Sequence, residues 1–199
     1  MLRGFAYQTE QRAQRLRELA SLHPTAKIDP LDIGRLLEGI VLIRGFDELL
    51  SRVGEGMSCD ALEAEVSALT VQIDETFYII ENQTHTLVRR RVSLMEEFSH
   101  IILGHEPSTV SLNPNALLAH RTFNDRQERE AYALGAATLV PYAGLKELLL
   151  QQSLTFAAIG EHYEVSEELI DYRAKVTLLW RHLKNAGLLE AARGSVLVR

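Results

Sequence analysis

The chain has 199 residues, 46% of them apolar, and a net charge of −6. This length suits one domain, or one domain with a small helical appendage, and the ordinary composition excludes disorder as the main state. The acidic balance argues against a general DNA-coating protein, because attraction to phosphate needs a basic surface. No run of about 18 apolar residues is present, so no membrane-spanning helix is expected, and the N-terminus lacks the apolar core of a secretion signal.

The cysteine content limits both the chemistry and the compartment. A single cysteine, Cys59, excludes an internal disulfide framework and any zinc site built from several cysteines. No histidine or basic residue lies near it in the sequence, so we interpret it as an incidental thiol rather than a nucleophile. These features favour a reducing compartment, and we expect a cytoplasmic protein with no membrane partner.

The first 80 residues predict two helices and two short strands. Apolar residues at three- and four-residue steps predict a helix over residues 7–21. Asp29 can cap a second helix, which begins at Pro30 and is closed by Gly39. An apolar run then predicts a buried strand over residues 40–43, and β-favouring residues predict a strand over residues 77–80.

The rest of the chain is predicted to be helical. One strong helix covers residues 87–103, and another covers residues 124–139 and stops before Pro141. Only helices are predicted beyond that proline. A few strands beside a helical majority define an α+β fold, rich in helix and with a small sheet. We predict one domain over residues 1–141 and a C-terminal helical subdomain over residues 142–199.

The helix over residues 87–103 carries the side chains of greatest chemical interest. Glu96 and Glu97 precede His100 by four and three residues, so all three are neighbours on the helix surface. They border an apolar stripe, and carboxylates and an imidazole beside a core are costly unless they are paired or bind a metal. Two interpretations stay open at this point. The three side chains could form a metal site, or they could form a surface of salt bridges with the arginines at 89–91.

Residues 96–100, Glu-Glu-Phe-Ser-His, resemble the zinc-peptidase signature His-Glu-x-x-His. In that signature two histidines bind zinc from one helix face, and the glutamate is the general base. The base-position glutamate, the second histidine, their spacing and the helical context are all present. Glu96 stands at the position of the first histidine. Alone, this match has little specificity, since Glu-x-x-His occurs often on helices.

A second part of the pattern lies on the helix predicted over residues 124–139. Glu128, Ala131 and Gly135 follow one another at three- and four-residue steps. Small side chains let one helix approach another closely, so a carboxylate at the start of this helix would reach His100. A third metal ligand needs this geometry. Glu130 is the alternative carboxylate for the same role.

Together the two segments resemble the ImmA/IrrE-type metallopeptidase family. That family has an Arg-x-Arg-Phe-Thr-Leu-x-His-Glu-x-x-His helix and a later Glu-x-x-Ala-Asn-x-Phe-Ala-Ala-x-Leu-Leu-x-Pro helix. The matching segments here are residues 89–100 and 128–141. The resemblance implies a helix-rich, zincin-like metallopeptidase domain with a small sheet, followed by a helix-turn-helix-like C-terminal part.

The resemblance also implies the roles of the site residues. His100 and Glu128 would be zinc ligands, and Glu97 would be the general base that takes a proton from the attacking water. Glu96 would be a non-standard first ligand, since it replaces a neutral imidazole by a carboxylate. Two carboxylates and one histidine make a harder site, shifted from Zn towards Mn or Mg. A degenerate site would bind no metal.

Further histidines lie near this site in the sequence. His105 follows His100 by five residues, about 140° around a helix, so we expect no ligation by His105 unless the helix breaks at Gly104. His85 and His120 flank the active-site cleft that the resemblance implies around these residues, where they could contact a transition state, although surface or packing roles are favoured for both.

The segment 159–173 resembles a helix-turn-helix. Its second helix begins Ser-Glu-Glu, and acidic side chains disfavour contact with DNA phosphates. We therefore interpret the segment as a structural helical pair, or as a surface for a protein partner. DNA binding is the disfavoured alternative.

The sequence supports three functional hypotheses. The first is a cytoplasmic zinc metallo-endopeptidase of the ImmA/IrrE type, a hydrolase whose substrate is a helix-turn-helix transcriptional repressor cleaved after stress. The second is a catalytically inactive pseudo-peptidase that binds such a partner without cutting it, which the substitution at Glu96 favours. The third is a DNA-binding regulator that acts through the C-terminal helices.

Overall fold

The computed structural model describes residues 4–48, 66–106 and 124–194; Cys59 and His120 lie outside them. The helices are α1 (Phe5–Leu19), α2 (Pro30–Gly34), α3 (Leu87–Leu103), α4 (Asp125–Leu139), α5 (Tyr142–Leu150), α6 (Phe156–Tyr163), α7 (Glu167–Val176), α8 (Leu179–Asn185) and α9 (Leu189–Ala192). The strands are β1 (Ile40–Arg44), β2 (Ala68–Ile73) and β3 (Thr76–Glu81). The predicted class is confirmed: the fold is α+β, rich in helix and with a small sheet.

The chain divides into two compact units. The helical unit contains residues 1–33 and 133–199, and the sheet unit contains residues 34–132. The helix α4 begins in the sheet unit and ends in the helical unit. The domain boundary at residue 141, inferred from the sequence, stays a prediction.

The described strands of the sheet unit form one sheet in the order β1-β3-β2. β1 runs parallel to β3, and β2 runs antiparallel to β3, with Thr70 opposite Ile79. The predicted strands over residues 40–43 and 77–80 are confirmed as β1 and β3. One face of the sheet carries an apolar cluster made of Ile43, Phe46, Leu69 and Ile80.

The strand β2 has no counterpart in the sequence prediction. Its hairpin with β3 turns through Asp74 and Glu75, and neither residue is one of the glycines that usually mark a two-residue turn. Asp74 instead takes a left-handed φ of 54°, which aspartate tolerates better than most residues. With no glycine in the turn, the hairpin signal in the sequence is faint.

The early helices differ from their predicted limits. α1 begins and ends two residues earlier than predicted, and α2 ends at Gly34 rather than Gly39. Gly39 instead has a φ of 69° and its carbonyl accepts the N–H of Phe77 at 2.7 Å, so it extends the pairing of β1 with β3. The predicted cap at Asp29 is confirmed, since its Oδ1 accepts the N–H of Leu31 at 3.0 Å.

The helix α3 packs against the face of the sheet that carries Thr70. It has the predicted bounds: the Thr86 side chain caps its first turn, and Gly104 ends it with a left-handed φ of 66°. Phe98 is buried and packs against Gly34, where a Cβ atom would lie 2.6 Å from the ring. The absence of a side chain at Gly34 therefore leaves room for the Phe98 ring to pack there.

The helical unit is organised around two buried arginines. The guanidinium of Arg17 donates to the carbonyls of Thr138 and His23, both at 2.8 Å, and to that of Ala26. Arg173 donates to the Val140 carbonyl at 2.8 Å and forms an ion pair with Glu10. Arginine side chains therefore satisfy backbone carbonyls near the C-terminal end of α4, where helical partners run out.

The helices α6 and α7 form the helical pair predicted over residues 159–173. Glu164, with a φ of 55°, ends α6 in the left-handed conformation, and the Ser166 side chain caps α7. Gly160 permits a close approach, because a Cβ atom there would lie 2.9 Å from the Val165 carbonyl oxygen. The first turn of α7 carries two exposed acidic residues, Glu167 and Glu168.

Of the helices in the described ranges, none on its own has the length and apolar character needed to cross a membrane. By length and composition alone, α4 and α5 taken together meet these criteria, with a bend of 51° between them.

Candidate metal centre

Three side chains from α3 and α4 converge at one place in the sheet unit. One carboxylate oxygen of Glu96, one ring nitrogen of His100 and one carboxylate oxygen of Glu128 all lie within 4.8 Å of one another. His100 Nε2 lies 3.6 Å from Glu128 Oε2. The predicted approach of the carboxylate on α4 to His100 is therefore confirmed, and Ala131, one helical turn further, is fully buried.

The chemistry of this group suits a divalent metal ion. His100 Nε2 is buried and has no hydrogen-bond partner among the described residues, a costly state that a metal bond would relieve. Ligand atoms around a tetrahedral zinc ion lie roughly 3.4 Å apart, given bond lengths of about 2.1 Å. The 3.6 Å contact is close to that spacing. Two carboxylates and one imidazole can hold Zn, and also the harder ions Mn and Mg.

The charges around His100 oppose the effect of its burial. Burial alone disfavours the charged imidazolium and would lower the pKa of His100. The carboxylates of Glu128, Glu97 and Glu96 outweigh burial, so the pKa lies above its ordinary value. The same negative field attracts a metal cation, which would compete with the proton for the imidazole.

Glu97 points towards the sheet rather than into the three-residue group. Its Oε2 accepts a hydrogen bond of 2.6 Å from the Thr70 hydroxyl, and both side chains are buried. Thr70 lies on β2, the strand that the sequence analysis does not predict. The base-position glutamate is therefore anchored by a residue that only the sheet pairing brings to it; the β-favouring residues at 69–71 are the one signal for that strand.

Replacing Thr70 by valine is expected to destabilise the protein by about 1.5–3 kcal/mol, the usual worth of a hydrogen bond to a buried charged group. Valine keeps the shape of threonine but leaves the Glu97 carboxylate without this donor. Thermal or urea unfolding of the metal-stripped protein measures the effect. Thr70→Ser is the matched control, since it keeps the hydroxyl. Equal stabilities for the valine and serine variants would contradict the role of this bond.

The break that would bring His105 back towards the site is present. Gly104 ends α3, and the backbone N–H of His105 bonds to the carbonyl of His100 at 3.0 Å, which folds the chain back. The Nδ1 atoms of His105 and His100 lie 3.1 Å apart, with the rings edge to face. His105 thus contacts a member of the three-residue group without belonging to it.

Glu130 also lies one contact away from the group. Its Oε2 is 3.4 Å from His105 Nε2, and its Oε1 accepts a hydrogen bond of 2.7 Å from Arg126 Nε. The bond from Arg126 lowers the pKa of Glu130, whereas burial and the neighbouring His100 lower the pKa of His105. Of the two predicted carboxylates on α4, Glu128 is the one that faces His100.

His85 lies in the turn before α3, outside the three-residue group. Its Nδ1 is buried without a hydrogen-bond partner in the described ranges, and burial together with the nearby Arg89 lowers its pKa. Its predicted contact with a transition state stays a prediction.

A family model for peptidase M78, described as the IrrE N-terminal-like domain, matches residues 59–175, which is more than half of the chain. The chain belongs to this family. The ImmA/IrrE resemblance drawn from the two helical segments is therefore confirmed, and both segments lie inside the match. A search of the curated proteins finds no match.

Within this peptidase M78 chain, the arginines at the start of α3 have partners away from Glu96, Glu97 and His100, as Arg90 and Arg89 show. Arg90 makes a two-point contact with the Glu81 carboxylate, at 2.9 and 3.1 Å, and Arg89 donates to Ser67 at 2.8 Å. These bonds fasten the start of α3 to β3 and to the residue before β2. Because Arg89 and Arg90 bond to Ser67 and Glu81, salt bridges with these arginines are a weaker explanation for the clustering of Glu96, Glu97 and His100.

Proposed function

We propose that this chain is a metal-dependent endopeptidase of the ImmA/IrrE type. One observation carries the proposal: Glu96, His100 and Glu128 converge in a member of a metallopeptidase family, and the buried Nε2 of His100 has no hydrogen-bond partner among the described residues. Glu97 follows Glu96 on the same helix and is held in place by Thr70. Two of the three ligands, Glu96 and His100, therefore share the helix α3 with the base, which favours a precise site.

The residues divide the work of peptide hydrolysis. Glu96, His100 and Glu128 would hold the metal, which when bound would supply a Lewis acid for the peptide carbonyl and lower the pKa of the attacking water. Glu97 accepts the proton of that water and returns it to the departing amine. The hydrogen bond from Thr70 fixes one oxygen of Glu97 and so restricts the rotation of its carboxylate.

Zinc is the metal that we propose first, because the match to the His-Glu-x-x-His pattern supports it. Two carboxylates beside one imidazole also support Mn or Mg. For the substrate we propose a helix-turn-helix transcriptional repressor, cleaved in the cytoplasm after stress. The family resemblance supports this choice of partner.

A pseudo-peptidase is the second candidate, and Glu96 is the observation that favours it. An anionic ligand in place of a neutral one donates more charge to the metal, which leaves less Lewis acidity for a substrate. In that case the chain would bind its partner without cutting it. The DNA-binding hypothesis gains no support from α7, because Glu167 and Glu168 occupy its first turn.

The metal site is tested by titrating the chelator-stripped, full-length protein with Zn²⁺ against a chromophoric competitor. We expect one equivalent to bind, and Glu128→Gln to weaken binding by more than about 100-fold, since loss of an outer contact alone costs about 10- to 100-fold. Glu161→Gln, at an exposed position of α6, is the matched control and should leave the affinity unchanged. A wild-type protein that takes up no Zn²⁺ or Mn²⁺ would overturn the proposal.

Incubation of the metal-loaded protein with the helix-turn-helix repressor encoded nearest to it separates the two candidates. The peptidase produces fragments that mass spectrometry detects and that a chelator abolishes. The pseudo-peptidase forms a complex with the intact repressor.

A further inference from the structure

His100 has two ring nitrogens with different surroundings. Nε2 faces Glu128 and is the atom without a hydrogen-bond partner in the described part of the chain, while Nδ1 lies 3.1 Å from Nδ1 of His105. The side chain of His105 is only 7% exposed, so water does not readily replace this contact. The group that bonds to Nδ1 of His100 therefore fixes the orientation of the ring, and with it the direction in which Nε2 points.

Two imidazole nitrogens at hydrogen-bond distance must share one proton, since one has to donate and the other to accept. A metal on Nε2 of His100 leaves the ring proton on Nδ1, so His100 donates and Nδ1 of His105 accepts. The proton of His105 then lies on Nε2, the atom that faces the Glu130 carboxylate at 3.4 Å. Each donor therefore points at an acceptor along the whole chain of contacts.

We propose that His105 is a positioning residue for the metal centre, which holds His100 in the Nδ1–H tautomer and so presents Nε2 to the metal, with Glu130 orienting His105 in turn. This inference rests on the proposed function, because it assigns a role within the same metal site. The left-handed turn at Gly104 makes it possible, since an unbroken helix would point His105 about 140° away from His100.

A neutral imidazole in this position suits the charge of the site. Metal-bound histidines usually donate their second N–H to a carboxylate, a carbonyl or water. Here Glu96, Glu97 and Glu128 already surround His100, so a further carboxylate in direct contact would add to a strongly negative site. The ring of His105 places Glu130 one residue further out, where Arg126 partly neutralises it.

The experiment measures Zn²⁺ affinity of the full chain by competition. His105→Phe keeps a ring but no nitrogen, and we expect binding to weaken by about 10- to 100-fold. His105→Asn should restore most of the affinity, because its amide oxygen lies close to the place of Nδ1 and can accept the same bond. His182→Asn, at an exposed position of α8, is the control for loss of a histidine and should change nothing.

A spectroscopic readout on the wild-type protein needs no variant to fold. Long-range proton–nitrogen NMR spectra of the zinc-loaded chain should show His100 protonated on Nδ1 and His105 protonated on Nε2. Unchanged affinity in His105→Phe, or a His105 proton on Nδ1, would overturn the inference while the metal site itself stands. Failure of the wild-type protein to bind Zn²⁺ or Mn²⁺ would instead remove the proposed function.

Discussion

Replacing Glu97 by glutamine is expected to abolish proteolysis by the metal-loaded protein while its metal content stays unchanged. General acid–base groups contribute about 10²- to 10⁴-fold to the rates of enzymes. Glutamine cannot accept the proton of the attacking water, so a loss in that range is expected. Its amide oxygen can still accept the hydrogen bond from Thr70, and the fold of α3 should therefore be preserved.

The measurement combines the rate of repressor cleavage with elemental analysis of bound metal. Glu75→Gln, in the exposed turn between β2 and β3, serves as the matched control and should keep the wild-type rate. Cleavage by the Glu97→Gln protein at the wild-type rate would refute the assignment of the base. Loss of metal from that variant would show that Glu97 is a ligand instead.

Replacing Arg17 by methionine should lower the free energy of unfolding more than the Thr70→Val substitution does. The side chain is 2% exposed, and its guanidinium donates to carbonyls of Thr138, His23 and Ala26. Methionine fills much of the volume but leaves these carbonyls without their donor, and each buried group left unsatisfied costs about 1–3 kcal/mol. We expect a loss of about 3–5 kcal/mol in the free energy of unfolding, or a fall of about 10 °C in Tm.

Arg15→Met is the matched control for this experiment, because it makes the same exchange on the same helix. Arg15 is largely exposed and pairs with Glu18 at 3.4 Å, and exposed ion pairs contribute about 0–1 kcal/mol. Urea unfolding of both variants gives the comparison. Similar losses for Arg15→Met and Arg17→Met would mean that the buried guanidinium does not hold α1 to the end of α4.

Several features of the fold follow from short stretches of sequence. The bounds of α3 were predictable from its apolar stripe and from Gly104, and β1 and β3 from short β-favouring or apolar runs. The spacing of Glu96, Glu97 and His100 is a property of any helix, so their shared surface was predictable as well. Even the family followed from two helical segments, because its motifs are local.

Tertiary structure decided the contacts that complete the site. The sequence offered both Glu128 and Glu130, and only the packing of α4 against α3 brings Glu128 to Nε2 of His100. Thr70 donates its hydrogen bond to Glu97 from β2, a strand that is hard to predict because its hairpin turn contains no glycine. Helix and strand periodicity depends on neighbouring residues, so sequence alone can determine it. Contacts between residues that are tens of positions apart in the sequence depend on how whole helices and strands pack. No local sequence pattern determines which of these residues come together.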